Sequence, residues 1–285
     1  MNSEDSTRAY GGISILHAAG CGWGCTIPLE LTCEAFASDS WLNIDQDPHM
    51  LLAQLRPSLV DVTGFDVGKS FFFGIRSNIP SSMGLKSPSA ASVSAVRFAV
   101  AMHELSLSDS EIVQVATKMQ LRAGCSMTGS FDDTWSALGK TAAVIRTDSP
   151  NPSEPIALVD IESSMCTILL RGTRKSTPEK LDFHVNRSKF KTARNHLMSG
   201  DIRRAMRENA DAVALSTGDE LATEIIDGLF SLDYTANISG SGPAIAVLHE
   251  KDQTSHLSEI LGEHGPTITT KIFHDPCQME GIQWA

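Results

Sequence analysis

Pro80-Ser-Ser-Met-Gly-Leu-Lys-Ser-Pro-Ser-Ala90 joins an aromatic run, Phe71-Phe72-Phe73, to a stretch of small and apolar residues that ends at Leu105. The first flank reads as a buried strand that stops before Pro80. The second reads as a helix, with Ser87 at the N-cap and Pro88 at the first helical position, where its missing N–H costs nothing. The segment PSAASVSAVRFAVAMHEL is small or apolar nearly all round, with Arg97 as the exception before His103 and Glu104, which predicts a buried helix. A loop feeding such a helix can hold an anion. The helix start presents unpaired N–H groups and the positive end of the macrodipole, and glycine allows close backbone approach. Serine hydroxyls can bind a metal or donate to phosphate, and Lys86 adds a cation. On composition alone the same loop is also an ordinary helix cap, and both readings stay open.

Upstream, residues 11–37 combine Gly11, Gly12, Gly20, Gly22 and Gly24 with an alternating run, Ile27, Leu29, Leu31 and Cys33, which predicts strand, glycine loop, strand. Residues 49–62 have a helical or mixed pattern. Downstream, Ser108 and Glu111 form a capping box for a helix carrying Ile112, Val115, Ala116 and Met119 at core spacing and stopping at Gly124. A second glycine segment, Gly124 to Gly139, contains Asp132 and Asp133 just after Gly129. Asp148-Ser-Pro-Asn-Pro-Ser-Glu-Pro155 is dense in turn residues and divides the chain into domains at 1–152 and 153–285. The second half offers strands near 156–161, 165–170, 243–249 and 266–273. Its helices fall near 187–199, 201–217 and 219–230, with Asp201 and Asp219 as N-caps and Gly200 and Gly218 as stops. Strands interleaved with paired helices imply a two-layer α/β sandwich.

A chain of 285 residues is long enough for two packed domains, and 41% hydrophobic with 20% charged residues describes a globular protein. Lys and Arg total 23 against 34 Asp and Glu, a net charge of -11 that repels a phosphate backbone and argues against a nucleic-acid surface. An anionic substrate must therefore meet a local positive pocket. Met1 to Arg8 lacks the pattern of a secretory signal, and no apolar run approaches the roughly 18–20 residues that cross a bilayer, so a cytoplasmic protein without membrane contact is expected. The six cysteines are irregularly spaced and read as reduced thiols. Cys21 and Cys25 have no second pair at ligand spacing, and no structural metal is expected.

The pattern Pro-x-x-x-Gly-Leu-x-Ser-x-Ser-Ala resembles the phosphate-binding motif of the GHMP kinases, and it lacks the Gly-Lys-Ser/Thr ending of a Walker loop. Thr128-Gly-Ser-Phe-Asp-Asp-Thr-Trp-Ser-Ala-Leu-Gly139 looks like the segment that carries the family's active-site aspartate. Asn237-Ile-Ser-Gly-Ser-Gly-Pro-Ala244 looks like its C-terminal glycine-rich motif, and Gly11 to Gly20 occupies the place of its first motif. Within the superfamily, Thr128 to Asp133 and the Thr270-Lys271 block are most similar to the archaeal shikimate kinases, and the resemblance runs over nearly the whole chain.

That resemblance implies a two-domain α+β GHMP fold, each domain a mixed or antiparallel sheet packed with helices, the second a ferredoxin-like α/β sandwich. It implies ATP and magnesium as cofactors and phosphorylation of the 3-hydroxyl of shikimate. The ATP site would comprise Pro80, Ser81, Ser82, Met83, Gly84, Leu85, Lys86, Ser87, Pro88, Ser89 and Ala90, closed by Gly240, Ser241 and Gly242. Asp132, then Asp133, would take the acceptor's proton, and Ser89 would bind magnesium. Adjacent like charges should raise one of the two carboxyl pKa values if both are buried. Two positions depart from the family pattern. Pro88 stands where the family usually has another serine, and counting back from Asp132 to the usual acidic metal ligand reaches Arg122, leaving Glu104, Glu111 and Asp133 as unranked alternatives. A shikimate carboxylate needs a cation, for which Arg76, Lys140, Arg146, Arg187 and Arg194 are candidates. Homoserine-type or mevalonate-type GHMP kinases, or a non-catalytic GHMP-like nucleotide-binding protein, are the alternatives.

Overall fold

In a computed structural model, which describes residues 7–40, 47, 49–149, 151–172, 180–273 and 283–284, the N-terminal glycine-rich segment folds as a hairpin. Its strands β1 (Arg8–Leu16) and β2 (Trp23–Ala37) pair antiparallel around the short helix α1 (Ala18–Cys21). Helix α2 (Leu55–Thr63) leads to β3 (Phe73–Ser77), which pairs with β2. The strand starts only at Phe73, and Phe71, ahead of it, packs its ring against Phe98, with centroids 5.6 Å apart.

The long helix α3 (Ser87–Met102) is buried along most of its length, as its small-residue composition predicts. Its cap differs from the expectation. Lys86, not Ser87, is the N-cap residue, with left-handed φ 65° and ψ 26°; Ser87 is already helical and Pro88 follows it. A capping serine needs extended backbone, and the left-handed turn into the helix leaves none for Ser87. Proline remains compatible because the N–H groups of the whole first turn have no partner inside the helix.

Helix α4 (Asp109–Arg122) begins with the expected capping box: the Ser108 N–H donates to Glu111 at 2.8 Å and the Glu111 N–H donates to Ser108 Oγ at 3.3 Å. Helix α5 (Asp132–Ala137) precedes β4 (Ala142–Arg146) and β5 (Ala157–Val159). Although β5 follows the proline-rich segment, it pairs with β4, so the passage from the first sheet to the second falls later than the 152/153 division.

The second sheet starts at β6 (Met165–Leu169), followed by α6 (Lys180–Val185), α7 (Arg187–Met198), α8 (Ile202–Thr217) and α9 (Glu220–Ser231). Asp201 and Asp219 cap α8 and α9 as read from the sequence, and Gly218 ends α8 in the left-handed conformation. Then come β7 (Thr235–Ile238), β8 (Ile245–His249), α10 (Thr254–Gly262), β9 (Thr267–Lys271) and β10 (Gln283–Trp284). The first sheet runs β1-β2-β4-β5-β10 with β3 also on β2, the second β7-β8-β6-β9, and the pairings are antiparallel. The second unit has β-α-β-β-α-β order, the ferredoxin-like arrangement.

One apolar core joins Ile13, Ile27, Val93, Val96, Met119 and Val144, and a second joins Leu169, Val213, Ile226, Val247 and Leu257. Among the described residues no helix is long and apolar enough to cross a membrane. The described cysteines, Cys21, Cys25, Cys33, Cys125 and Cys166, are free thiols; Cys277 lies outside the described residues.

Candidate active site

The loop before α3 is held in an unusual backbone path. Ser82, Gly84 and Lys86 all have positive φ, 60°, 78° and 65°. The two non-glycine residues cost roughly 1–2 kcal/mol each in that conformation, so the surroundings must hold them. The loop's carbonyls are what is held: Leu85 accepts from the Gly12 N–H at 3.2 Å, Met83 from the Ala244 N–H at 3.4 Å, and Gly84 from the Ser239 hydroxyl at 2.8 Å. Gly84 also lies so close to the β7–β8 turn that a β-carbon there would stand 2.0 Å from the Ser239 carbonyl oxygen. With the carbonyls engaged, the N–H groups of Ser81 to Lys86 donate to no acceptor among the described residues. They lie beside the positive end of α3, a setting suited to phosphate oxygens.

Within this loop Ser81 and Ser82 are exposed, Pro80, Met83, Gly84, Lys86, Ser87 and Pro88 half-buried, and Leu85, Ser89 and Ala90 buried. Gly240, Ser241 and Gly242 come against it through the turn after β7. The Gly240 N–H donates to Ser14 Oγ at 3.2 Å, and Lys86 Nζ donates to the same oxygen at 2.8 Å.

Asp132 and Asp133 open α5 three and four residues after the left-handed Gly129, where the helix dipole favours carboxylates. Helix α5 packs onto the hairpin so closely that a β-carbon on Gly24 would lie 2.4 Å from the Asp132 carboxyl group. Asp132 is 4% exposed. It accepts from the Ser130 hydroxyl, and Thr26 Oγ1 lies 3.0 Å from its Oδ2. The Asp133 side chain is 35% exposed, with Thr26 Oγ1 at 2.9 Å and Lys86 Nζ at 2.9 Å from Oδ1.

These neighbours separate the two acids. Burial, followed by the charge of Asp133, pushes Asp132 up to about 6 against the opposing pull of Lys86, Ser130 and Thr26. Burial pushes Asp133 upward too, but the Lys86 ammonium, by charge and hydrogen bond, outweighs it with help from Thr26 and His17, and its pKa falls below the usual range. An adjacent acid pair that splits in this way can hold one proton and one charge.

Arg122 lies away from Ser89 and pairs with Asp61, which also meets Lys118 at 3.0 Å. The residue of α4 that faces Ser89 is Gln120, whose Oε1 accepts the Ser89 hydroxyl at 3.1 Å. Glu104 is exposed beyond the end of α3, and Glu111 is used in the α4 cap. Among the described residues no three acidic, histidine or cysteine groups gather into a metal cluster. The two neutral oxygens of Ser89 and Gln120 suit a hard cation that draws its negative partners from a nucleotide.

Residues 51–140, which include this loop, α3, α4 and both acids, match the family described as the GHMP kinases N terminal domain. The chain carries a GHMP kinase N-terminal domain. Over most of its length it is similar to the shikimate kinase of Methanobrevibacter smithii, at 26% identity over 98% of this chain and 100% of that one. It is also similar to the shikimate kinase of Pyrococcus abyssi, at 27% identity over 94% of this chain and 98% of that one. The mevalonate kinase of Methanococcus jannaschii has the same fold, with a TM-score of 0.70 at 14% identity, covering 93% of this chain and 97% of that one.

Of the five cations considered for an acceptor carboxylate, two are held by acids elsewhere and three gather near Trp23 and Cys21. Arg76 is taken by Glu34 and Lys140 by Asp109. Arg146, which also pairs with Asp148, and Arg194 lie 5.3 and 5.2 Å from the ring centroid of Trp23. Arg187 is exposed on α7, and with Arg194 and Lys191 it partly offsets the burial that raises the Cys21 thiol pKa.

Sequence reasoning passed over Thr26, Ser14, Ser130 and Gln120, which complete the site. Ser130 stands inside the quoted Thr128-to-Asp133 block and was within reach, whereas Thr26 reads as an ordinary strand residue. A buried amide pair was missed as well. Asn237 Nδ2 donates to the carbonyls of Ser14 at 2.7 Å and Ile15 at 3.1 Å, Asn209 Nδ2 donates to Asn237 Oδ1, and the His17 N–H donates to Asn209 Oδ1.

Proposed function

We infer that the chain is an ATP-dependent small-molecule kinase that transfers the terminal phosphoryl group of ATP to the 3-hydroxyl of shikimate, yielding shikimate 3-phosphate and ADP. The observation that carries the kinase reading is the placement of Lys86: one ammonium group joins a loop of unpaired N–H groups at a helix start to a carboxylate at 2.9 Å. A phosphate cradle and a proton acceptor thereby share one cation. Shikimate as the acceptor is supported by relatives of that name aligned over nearly the full chain.

Phosphoryl transfer passes through a loose transition state with charge on the equatorial oxygens, so positioning and electrostatics supply most of the rate. The N–H groups of Ser81 to Lys86 and the dipole of α3 receive the nucleotide's phosphates, and Gly240 to Gly242 closes the opposite side. The Asp132–Asp133 pair receives the acceptor hydroxyl's proton. Ser89 and Gln120 would hold magnesium, which when bound neutralises phosphate oxygens. The first sheet with its helices forms the nucleotide-binding domain and the second sheet the C-terminal domain. Free thiols support a reducing, cytoplasmic setting.

The test is ADP release measured over shikimate, homoserine, mevalonate and galactose. Turnover that depends on shikimate is the expected result. Turnover with another acceptor alone removes shikimate and keeps the kinase. ATP binding by calorimetry with no ADP from any acceptor leaves a nucleotide-binding protein.

A further inference from the structure

The Thr26 hydroxyl stands 3.0 Å from Asp132 Oδ2 and 2.9 Å from Asp133 Oδ1, yet it has one proton to give. With both acids ionised, one of these contacts is an oxygen facing an oxygen with no hydrogen between. A single added proton satisfies both: Asp132 Oδ2–H donates to Thr26 Oγ1, and Thr26 Oγ1–H donates to Asp133 Oδ1. The surroundings select this direction over the reverse. Asp132 is enclosed by Gly24, Ser130 and Thr26, where a neutral carboxyl group is favoured. Asp133 is more open and has the Lys86 ammonium against it, where an ionised one is favoured. The other titratable groups facing the pair are His17 at the end of β1, whose charge favours ionised Asp133, and the buried Cys25 thiol of β2, kept protonated by burial and by Asp132.

Resting on the kinase reading above, we propose that Thr26 is a positioning residue that joins the two acids into a proton-passing dyad, in which Asp133 meets the acceptor hydroxyl and Asp132 stores the proton. The acceptor oxygen bonds to the transferred phosphorus as the bond from phosphorus to the ADP oxygen breaks, and the acceptor's proton passes to Asp133. Turnover starts with both acids ionised and the Thr26 hydroxyl turned toward Asp132 Oδ2; Asp133 then gives a proton to Thr26 Oγ1 while Thr26 gives its own to Asp132 Oδ2, which yields the singly protonated arrangement above. Thr26 ends unchanged, and one proton has moved from acceptor to Asp132, from which it leaves to solvent as the products depart.

Thr26→Val keeps the shape and removes the relay, and Thr26→Ser keeps the relay. The valine variant is expected to lose about 10- to 100-fold in kcat, with KM for ATP and acceptor within about threefold of the parent. Its acid limb should move down by roughly half to one pH unit, because the hydroxyl that lets one proton satisfy both acids, and so favours the singly protonated pair, is gone. The serine variant should recover most of the rate. Parent-like kcat and acid limb in the valine variant, or a serine variant as slow as the valine one, overturns the proposal. Carboxyl 13C NMR, assigned with Asp132→Asn and Asp133→Asn, reads the dyad without turnover. A coupled two-step titration whose uptake of the shared proton moves downward in pH in Thr26→Val supports it, and two independent single steps in the parent overturn it. A coupled pair in a protein that turns over no acceptor overturns the kinase reading and with it the role of Asp133, while the shared proton stands.

Discussion

At the scale of single residues, Asp132 pits the stability of the resting protein against its use. Its carboxyl group rises from the usual 3.8 to about 6 through burial and the neighbouring charge, and at about 1.4 kcal/mol per unit this disfavours the ionised folded state by about 3 kcal/mol. The sign follows from proton binding. Above pH 6 the folded protein carries the full penalty, and as pH falls from 6 toward 3.8 the folded form takes up the proton before the unfolded chain does, so the penalty fades. Asp132→Asn should therefore raise stability by about 1–3 kcal/mol near pH 8, with the gain shrinking toward pH 4. Denaturant unfolding at several pH values measures it, and a gain that grows on acidification contradicts the placement of the proton on Asp132. The acid pair itself was legible in the sequence because two adjacent aspartates after a glycine turn are conspicuous. Thr26 was not, since nothing local marks which of several strand hydroxyls will face a helix more than a hundred residues away.

At the scale of elements, what could be read was what local chemistry decides. Ser108 with Glu111, Asp201, Asp219 and Gly218 all carry their capping role in their own side chains or in their tolerance of left-handed backbone. The start of α3 was misplaced because its cap geometry is imposed from outside, by the β7–β8 turn and β1 gripping the loop's carbonyls. Gly84 shows the same external control. Its sequence context suggests room for phosphate, but its absent side chain also makes room for Ser239. Gly84→Ala combines left-handed backbone with a clash against a carbonyl that cannot rotate away, and should destabilise the nucleotide-free protein by about 2 kcal/mol or more. If the glycine served only phosphate approach, thermal unfolding without nucleotide would match that of the parent.

At the scale of the whole molecule, the α+β class with two sheets followed from the resemblance of the glycine motifs, and alternating patterns marked several strands, but the membership of β5 did not. Its three residues pair across the proline-rich segment with β4, and long-range pairing leaves no local trace in so short a strand. The joining of the sheets was equally hidden, because it runs through buried amides and a shared hydroxyl. Asn237 bonds β7 to the Ser14 and Ile15 carbonyls of β1, Asn209 of α8 bonds Asn237, and Ser14 receives both Gly240 and Lys86. The loop before α3, proposed to hold phosphate, is thus gripped by both sheets, and losing the grip should weaken folding and nucleotide binding together. Asn237→Ala strands two buried carbonyls and the Asn209 amide, a loss of about 3 kcal/mol and roughly 5–10 °C in Tm. ATP at about 100 times its Kd adds about 2.7 kcal/mol to the parent's stability, and a tenfold weaker Kd in the variant would remove about 1.3 kcal/mol of that increment at the same ATP concentration. Ile226→Ala, in the second core and outside the loop's bonding partners, should lower Tm while leaving the ATP increment intact. Thermal unfolding of both variants with and without ATP separates the outcomes: equal ATP increments in the two would mean that the amide pair supports the fold alone and does not shape the phosphate loop.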